Sequence, residues 1–195
     1  MKKILIGILF PLFTVIAQDN KNSLGLNYRY GTFDAEINAS GFEFSYQREL
    51  YAWLYAEASV LHLNGTNFNA NTILSNNDEA IENIRRFGDR AMFNSVNLKL
   101  NVSFINNQRN LMGVFYGLSF YKYDSSTYTN FLDTFFYRNE FDQGFGTVVG
   151  INYFYKLTQQ LLIGVDFMLF DDRKWDGSSV LVNNYSFGIN IRYKF

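Results

Sequence analysis

The segment from residue 185 to the end of the chain alternates strictly between apolar and polar residues. Side chains on a β-strand point to opposite faces in turn, so this segment predicts a strand with one wholly apolar face. Aromatic residues lie at both ends of that face and isoleucines lie between them, which is typical of a strand that crosses a lipid bilayer. The apolar positions are Tyr185, Phe187, Ile189, Ile191, Tyr193 and Phe195.

The same alternation recurs upstream and predicts eight strands in all. The other seven lie near residues 23–30, 41–47, 53–60, 96–104, 113–120, 144–153 and 163–169. Short links near 48–51, 105–110 and 156–160 alternate with longer polar ones at 31–40, 64–90, 124–141 and 171–181. Short periplasmic turns and long extracellular loops are typical of bacterial outer-membrane barrels. The predicted fold is therefore all-β, an eight-stranded antiparallel up-and-down transmembrane β-barrel.

The N-terminal residues differ from the rest of the chain. Lys2 and Lys3 precede an apolar run from Ile4 to Phe13, and the polar residues begin at Gln18. A charged start, a short apolar stretch and small or apolar residues before the cleavage point are typical of a secretory signal peptide. We therefore expect a signal peptide at 1–17, cleaved after Ala17, and a barrel domain at 18–195.

Composition and charge exclude several classes of function. The chain has no cysteine, so disulfides, a lipid-bearing cysteine and thiolate metal sites are excluded. Residues 1–17 hold two lysines and no acid, so their removal changes the formal charge from −1 to −1 − 2 = −3. No basic excess remains to bind phosphate backbones, and nucleic acid is not expected as a partner. We expect no cofactor and assign no metal site.

The signal peptide, the eight alternating strands and the terminal Tyr193-Lys194-Phe195 together resemble the small outer-membrane barrels of the OmpA, OmpX and OmpW type. The resemblance covers the mature chain as a pattern, not as a motif. It implies an outer-membrane location, contact with lipid and lipopolysaccharide, and recognition of residues 185–195 by the barrel-assembly machinery. The Tyr- and Asn-rich composition and the link Tyr155-Lys156-Leu157-Thr158 resemble barrels from Bacteroidetes. A lipocalin is the soluble alternative, but its apolar face points inward. Here the polar face is rich in Gly, Ser and Asn, which suits a narrow lumen better than a surface exposed to water.

The polar face carries three charges of each sign, which the barrel prediction places in the lumen. They are Arg29, Lys99 and Arg192 with Glu43, Glu57 and Asp166. Isolated ions are disfavoured in a low-dielectric interior, so we expect these groups to pair. An eight-stranded barrel is just wide enough for side chains to fill it. With Trp53, Tyr55, Phe115 and Met168 also expected inside, a structural plug is favoured, and a narrow channel or small-solute transporter is the alternative.

Two of the long links have features of their own. In 64–90, Asn76 or Asn77 can cap a short amphipathic helix that Gly88 would terminate, with Arg85 and Arg86 in its last turn. The link 124–141 is rich in aromatic rings, which indicates either a surface for a protein partner or two strands that continue beyond the membrane. Its candidate partner residues are Phe131, Phe135, Phe136, Tyr137 and Phe141.

An enzyme that modifies lipid A is the alternative from another class, because some small outer-membrane barrels deacylate lipid A with a histidine. His62, the only histidine, shares the lipid-facing parity of Val60 and lacks the His-x-Ser arrangement of those deacylases. No nucleophile–base pair is evident, so we expect a non-enzymatic protein. Acidic residues 171, 172 and 176 offer a possible divalent-cation or lipopolysaccharide contact.

Overall fold

The computed structural model describes residues 21–33, 37–70, 85–131, 134–172 and 184–195. They form one closed barrel in which each strand pairs antiparallel with the next and β8 pairs with β1. The strands are β1 (Asn22–Phe33), β2 (Ile37–Tyr51), β3 (Leu54–Ala70), β4 (Arg85–Asn106), β5 (Asn110–Phe131), β6 (Thr134–Lys156), β7 (Leu161–Asp171) and β8 (Asn184–Lys194). Among these described ranges, no helix is long and apolar enough to span a membrane.

Three tight turns and both described chain ends lie at one rim, which we call the turn rim. Its turns are residues 52–53, 107–109 and 157–160. Side-chain oxygens close two of them: Asn107 Oδ1 accepts from the backbone N–H of Asn110 at 2.8 Å, and Thr158 Oγ1 accepts from that of Leu161 at 2.9 Å. Asn and Thr favour turns because their side chains can replace a backbone acceptor.

The wall of the barrel is much taller on one side. Strands β4, β5 and β6 have 22, 22 and 23 residues, whereas β7 and β8 have 11 each. Pairing of β6 with β7 begins at Thr147, opposite Asp171, whereas β6 pairs with β5 along its whole length. Residues 134–146 of β6 therefore have one strand partner within the described part of the chain. We call β3 to β6, where they rise beyond β7, the tall wall.

The tall wall corrects the expectations for the long links. Residues 85–88, predicted to end a helix, belong to β4, where Arg85 pairs with Asn130 and Arg86 with Thr129. A helix of a few turns is marginal by itself, and pairing with β3 and β5 satisfies these backbone groups instead. The helix prediction is wrong for 85–88, and its capping residues Asn76 and Asn77 lie outside the described residues. The link 124–141 is largely a hairpin of β5 and β6.

Trp53 is the other correction. We expected it in the lumen, but it lies in the turn between β2 and β3 with 54% of its surface exposed. Its ring stacks on Tyr51 at 6.0 Å between centroids. Strand β3 begins one residue later, at Leu54, so the strand parity does not apply to Trp53.

Candidate functional site: the two faces of the barrel wall

The outer face of the wall is an apolar belt made by alternate residues of all eight strands. On β4, Leu100 is 54% exposed while its neighbour Asn101 is 4% exposed, and on β8 Ile189 is 66% exposed while Asn190 is 4% exposed. The apolar side chains of the belt therefore face outward, and the polar side chains between them face the lumen. Other members of the belt are Leu26, Phe44, Val60, Leu98, Leu118, Phe145, Ile151, Val165, Phe187 and Ile191.

A row of polar side chains marks the end of the belt on the tall wall. His62 pairs with Asn94, Asn94 with Lys122, and Lys122 with Gln143, so the four lie side by side on β3 to β6. His62 Nδ1 lies 2.7 Å from Asn94 Oδ1. The next row toward the turn rim, Val60, Val96, Phe120 and Phe145, is wholly apolar.

The chemistry of the alternation inverts across this polar row. Toward the turn rim, the inward residues Ser59 and Asn97 are polar and their outward neighbours are apolar. Beyond the row, the inward residues Leu63, Phe93 and Tyr123 are apolar and buried. The outward residues there are mostly polar, with Met92 and Phe141 as exceptions. The tall wall thus has the pattern of a lipid-facing barrel in its lower part and of a water-facing barrel in its upper part.

The six predicted lumen charges lie together in one unbroken chain of ion pairs. Asp166 Oδ1 is 2.7 Å from Arg29 Nη2, and Arg29 Nε is 2.5 Å from Glu43 Oε2. Lys99 Nζ bridges Glu43 Oε1 at 2.7 Å and Glu57 Oε1 at 2.6 Å. Glu57 Oε2 is then 2.9 Å from Arg192 Nη2. We call these six residues the charge chain; opposite signs alternate along it, and its formal charge is zero.

Neutral polar side chains hydrogen-bond to several of the remaining atoms of the charge chain, whereas Arg192 Nε has no hydrogen-bond partner among the described residues. Asn27 Nδ2 donates to Asp166 Oδ2 at 2.7 Å, and the Ser59 hydroxyl donates to Glu43 Oε1 at 2.6 Å. Arg29 Nη1 donates to the Ser186 hydroxyl oxygen at 3.2 Å, and Arg192 Nη1 donates to Gln47. Buried ions are tolerated only when they are paired and hydrogen-bonded, and this arrangement meets both conditions. Sequence reasoning missed these partners, although their parity matches that of the charges.

Apolar side chains close the lumen on both sides of the charge chain. Toward the turn rim they are Tyr55, Leu111, Phe154 and Leu162. Toward the opposite end, a larger cluster includes Leu61, Leu63, Phe93, Phe115, Tyr121, Val148, Met168 and Phe170. Lys99 Nζ lies 5.2 Å from the centre of the Phe115 ring, and the Arg192 guanidinium lies 4.7 Å from that of Phe154, so cation–π contacts join the layers.

Little space remains around the charge chain. In the cavity among its side chains, the centre of a water molecule can occupy a volume of about 10 Å³. This is at the lower limit for holding one buried water. Tyr55, Phe115 and Met168 lie inside, where the sequence placed them. The lumen in this conformation is filled, not open.

The mouth at the turn rim holds a weaker set of charges. Lys194 Nζ lies 3.4 Å from Glu49 Oε2, and both side chains are about one-quarter exposed. Lys156 Nζ donates to Asn106 Oδ1 at 2.7 Å and to the Asn107 carbonyl at 2.6 Å. Partial burial and the nearby Lys194 ammonium lower the pKa of Lys156 from its usual value.

The other predicted sites are only partly brought together. Asp172 is buried 3.4 Å from the Tyr121 hydroxyl, which donates to Asp142 at 2.6 Å, while Asp176 lies outside the described residues. Within the described ranges, no group of three or more His, Asp or Glu side chains could hold a metal ion. Phe141, in the candidate partner set, is exposed, and Lys122 Nζ lies 5.1 Å from the centre of its ring. The rest of that set, Phe131, Phe135, Phe136 and Tyr137, lies at the tip of the β5–β6 hairpin.

Structural comparison shows which fold this is. Outer membrane protein OprG from Pseudomonas aeruginosa aligns with a TM-score of 0.63 and 9% identity, covering 90% of this chain and 96% of that one. A major outer membrane protein from Thermus thermophilus gives 0.54 and 9%, covering 89% and 99%. The N-terminal β-barrel domain of Pseudomonas aeruginosa OprF gives 0.52 and 12%, covering 90% and 98%. No family model and no curated relative matches the sequence. The fold is that of small outer-membrane β-barrels.

Proposed function

We propose that this protein is an integral, non-enzymatic barrel of the bacterial outer membrane, with a filled lumen and a partner-binding surface on its tall wall. The observation that carries the proposal is the inversion of the alternation at the polar row His62, Asn94, Lys122 and Gln143. An apolar outer face is stable only against lipid, and a polar outer face with an apolar interior is stable in water. The lower wall therefore belongs in the bilayer and the upper wall outside it.

Site-directed spin labels test this orientation. In protein reconstituted into phospholipid vesicles, spin labels at Leu100 and Ile189 should be relaxed strongly by lipid-soluble oxygen and weakly by a water-soluble nickel chelate. A label at Gln143 should show the reverse. Equal access of the chelate to all three positions, or a barrel that stays in solution without detergent, would contradict the membrane orientation.

Partner binding is assigned to the β5–β6 hairpin because it rises beyond β7, and one edge of β6 from 134 to 146 has no described strand partner. Such an edge presents backbone donors and acceptors that an extended peptide can pair with. Tyr128 pairs with Tyr137, so deleting 129–136 and joining these two by Asn-Gly shortens the hairpin without changing its register. We expect a surface-bound protein to be lost while the barrel still folds. Retention of every co-purifying protein would contradict this role.

The filled lumen makes a channel the weaker alternative. Planar-bilayer recording should show no steady conductance, because apolar clusters enclose the charge chain on both sides. Steady current that changes in Glu57→Gln or Lys99→Gln would instead establish a pore. Lipid modification is tested separately: acylation of lipid A, measured by mass spectrometry, should be the same in His62→Ala cells as in wild type.

Export and assembly follow the same proposal. We expect N-terminal sequencing of the membrane-bound protein to begin at Gln18. Five of the predicted assembly residues, Tyr185, Phe187, Ile189, Ile191 and Tyr193, face outward on β8, where the assembly machinery can reach them. Removing Phe195 should lower the amount of folded barrel in the membrane, and Lys194→Gln should leave it unchanged.

A further inference from the structure

An apolar groove of about 500 Å³ crosses the outer face of β8, β1, β2, β3 and β4 in the half of the belt nearer the turn rim. Its walls include Leu24, Tyr46, Val96 and Ile191. Ala58 lies in its floor, between Tyr46 on β2 and Leu98 on β4. Because alanine is much smaller than its neighbours in the row, the wall is thinnest here. The depression is therefore a consequence of a small side chain on β3 between larger ones on β2 and β4.

An unpaired arginine lies at the turn-rim end of the groove. Arg48 follows Tyr46 on the same outward face of β2 and pairs in register with Ala56, the small residue next to Ala58 on that face of β3. Two residues along a strand are about 6.6 Å apart, which is within reach of an arginine side chain. The Arg48 side chain is exposed, and none of the described carboxylates forms an ion pair with it. Its neighbour Glu49 points to the mouth and pairs with Lys194 instead.

The rest of the rim next to the groove is suited to the headgroup region. The Tyr46 hydroxyl donates to Asn22 Oδ1 at 2.7 Å, so the ring lies in the apolar belt and its polar end points to the rim. The stacked rings of Tyr51 and Trp53 lie beyond it. Tyrosine and tryptophan prefer this depth in a membrane because one part of the side chain is apolar and the other is polar.

We propose that the groove and Arg48 form a binding site for one phospholipid of the leaflet at the turn rim, with an acyl chain over Ala58 and the phosphodiester at Arg48. This proposal rests on the membrane orientation proposed above. A guanidinium binds phosphate oxygens in a bidentate manner, and a basic residue near a membrane surface contributes about 1 kcal/mol to anionic lipid binding. The aliphatic groove supplies contact that a free phosphate ion cannot use.

The test uses the folded full-length barrel in detergent micelles, titrated with phosphatidylglycerol and monitored by native mass spectrometry. We expect Arg48→Gln to weaken binding of one lipid about fivefold, since 1 kcal/mol corresponds to that factor. Ala58→Trp fills the floor of the groove and should weaken binding at least as much. Matched controls are Arg109→Gln, an exposed arginine in another turn of the same rim, and Val165→Trp, an outward belt position on β7. Both should bind lipid as the wild type does.

Several results would overturn the site. Equal affinity in the wild type and both site variants would do so, as would competition by inorganic phosphate that matches competition by phosphatidylglycerol. The chain has no cysteine, so Ala58→Cys introduces a single thiol; a disulfide-linked dimer that forms equally well with and without lipid would assign the groove to a second copy of the chain. The spin-label experiment at Leu100, Ile189 and Gln143 reports on membrane orientation independently, so a failed lipid site is distinguishable from a failed membrane assignment.

Discussion

The lower and upper parts of β3 to β5 have the same alternation of side chains and opposite chemistry on each face. In the lower part, Val96 faces out and Asn97 faces in; in the upper part, Asn94 faces out and Phe93 faces in. The backbone geometry does not change between them, because the register of β4 with β5 is continuous from Ala91 to Ser103. What changes is the medium that each part requires outside the wall.

The two parts obtain their stability differently. The upper part buries an apolar cluster, as a water-soluble domain does. In the lower part the apolar residues face lipid, so their burial contributes little to the free energy of folding. Backbone pairing and the charge chain stabilise its interior instead. Substitutions at the four positions defined by inner or outer face and lower or upper part should therefore have unequal effects.

The lower interior should be the most sensitive. Glu43→Gln leaves Arg29 and Lys99 without the carboxylate that joins them, and removing one member of a buried pair costs about 3–5 kcal/mol. We expect that loss in the free energy of unfolding, measured by urea titration in phospholipid vesicles and followed by the mobility shift of the unheated barrel in gels.

The double variant Glu43→Gln/Lys99→Met provides the control. It leaves two separate neutral pairs, Arg29 with Asp166 and Arg192 with Glu57, so it should be more stable than Glu43→Gln alone. If the single variant matched the wild type, the charge chain would not be what holds the lower interior.

The lower exterior should come next. Leu100 lies near the middle of the belt on β4, and an arginine at the bilayer midplane of a barrel costs about 2–4 kcal/mol. Leu100→Arg should lower the free energy of unfolding in vesicles by that amount, whereas Leu100→Ala, which keeps the site apolar, should lower it much less. Equal stability of the three proteins would mean that this face does not meet acyl chains.

Sequence parity predicted the lower part well. Where a strand crosses the belt, one face meets lipid and the other meets the lumen throughout. The alternation is therefore regular, and it correctly places residues such as Lys99 inside and Leu100 outside. Of the charge pairs, Lys99 and Glu57 are direct cross-strand partners on the neighbouring strands β3 and β4, although the long link 64–90 leaves their register open in the sequence. Arg29 and Asp166 lie on β1 and β7, which are not sequence neighbours, and their proximity depends on the stagger that closes the barrel.

The upper part was predicted less well, for a physical reason. Above the polar row most of the outward residues are polar, so a pattern search for outward apolar residues loses the strands there and predicts long loops. The prediction of a helix relied on local helix preferences at Arg85 and Arg86, but in the fold the pairing with β5 places both residues in a strand. The buried run Leu61 and Leu63, opposite His62, was the signal that the alternation had inverted.

The upper interior offers a third, smaller effect. Leu63 is fully buried in the upper apolar cluster, and Leu→Ala in a core costs about 2 kcal/mol or more. We therefore expect Leu63→Ala to lower the free energy of unfolding by about 2 kcal/mol. The loss should also appear in detergent micelles, since this contact lies within the protein, and an effect confined to one lipid composition would place Leu63 at the membrane surface instead.

Substitutions on the upper exterior should change the free energy of unfolding least. Gln143 lies in the polar row beside Lys122, on the outward face and exposed. Gln143→Arg introduces the same charge as Leu100→Arg, but barrel substitutions near the interface cost only about 0–1 kcal/mol because the guanidinium remains hydrated. Urea titration of both variants in the same vesicles therefore compares one side chain at two depths. A loss at Gln143 as large as that at Leu100 would move the membrane boundary beyond the polar row, and the inversion of the alternation would then need a cause other than a change of solvent.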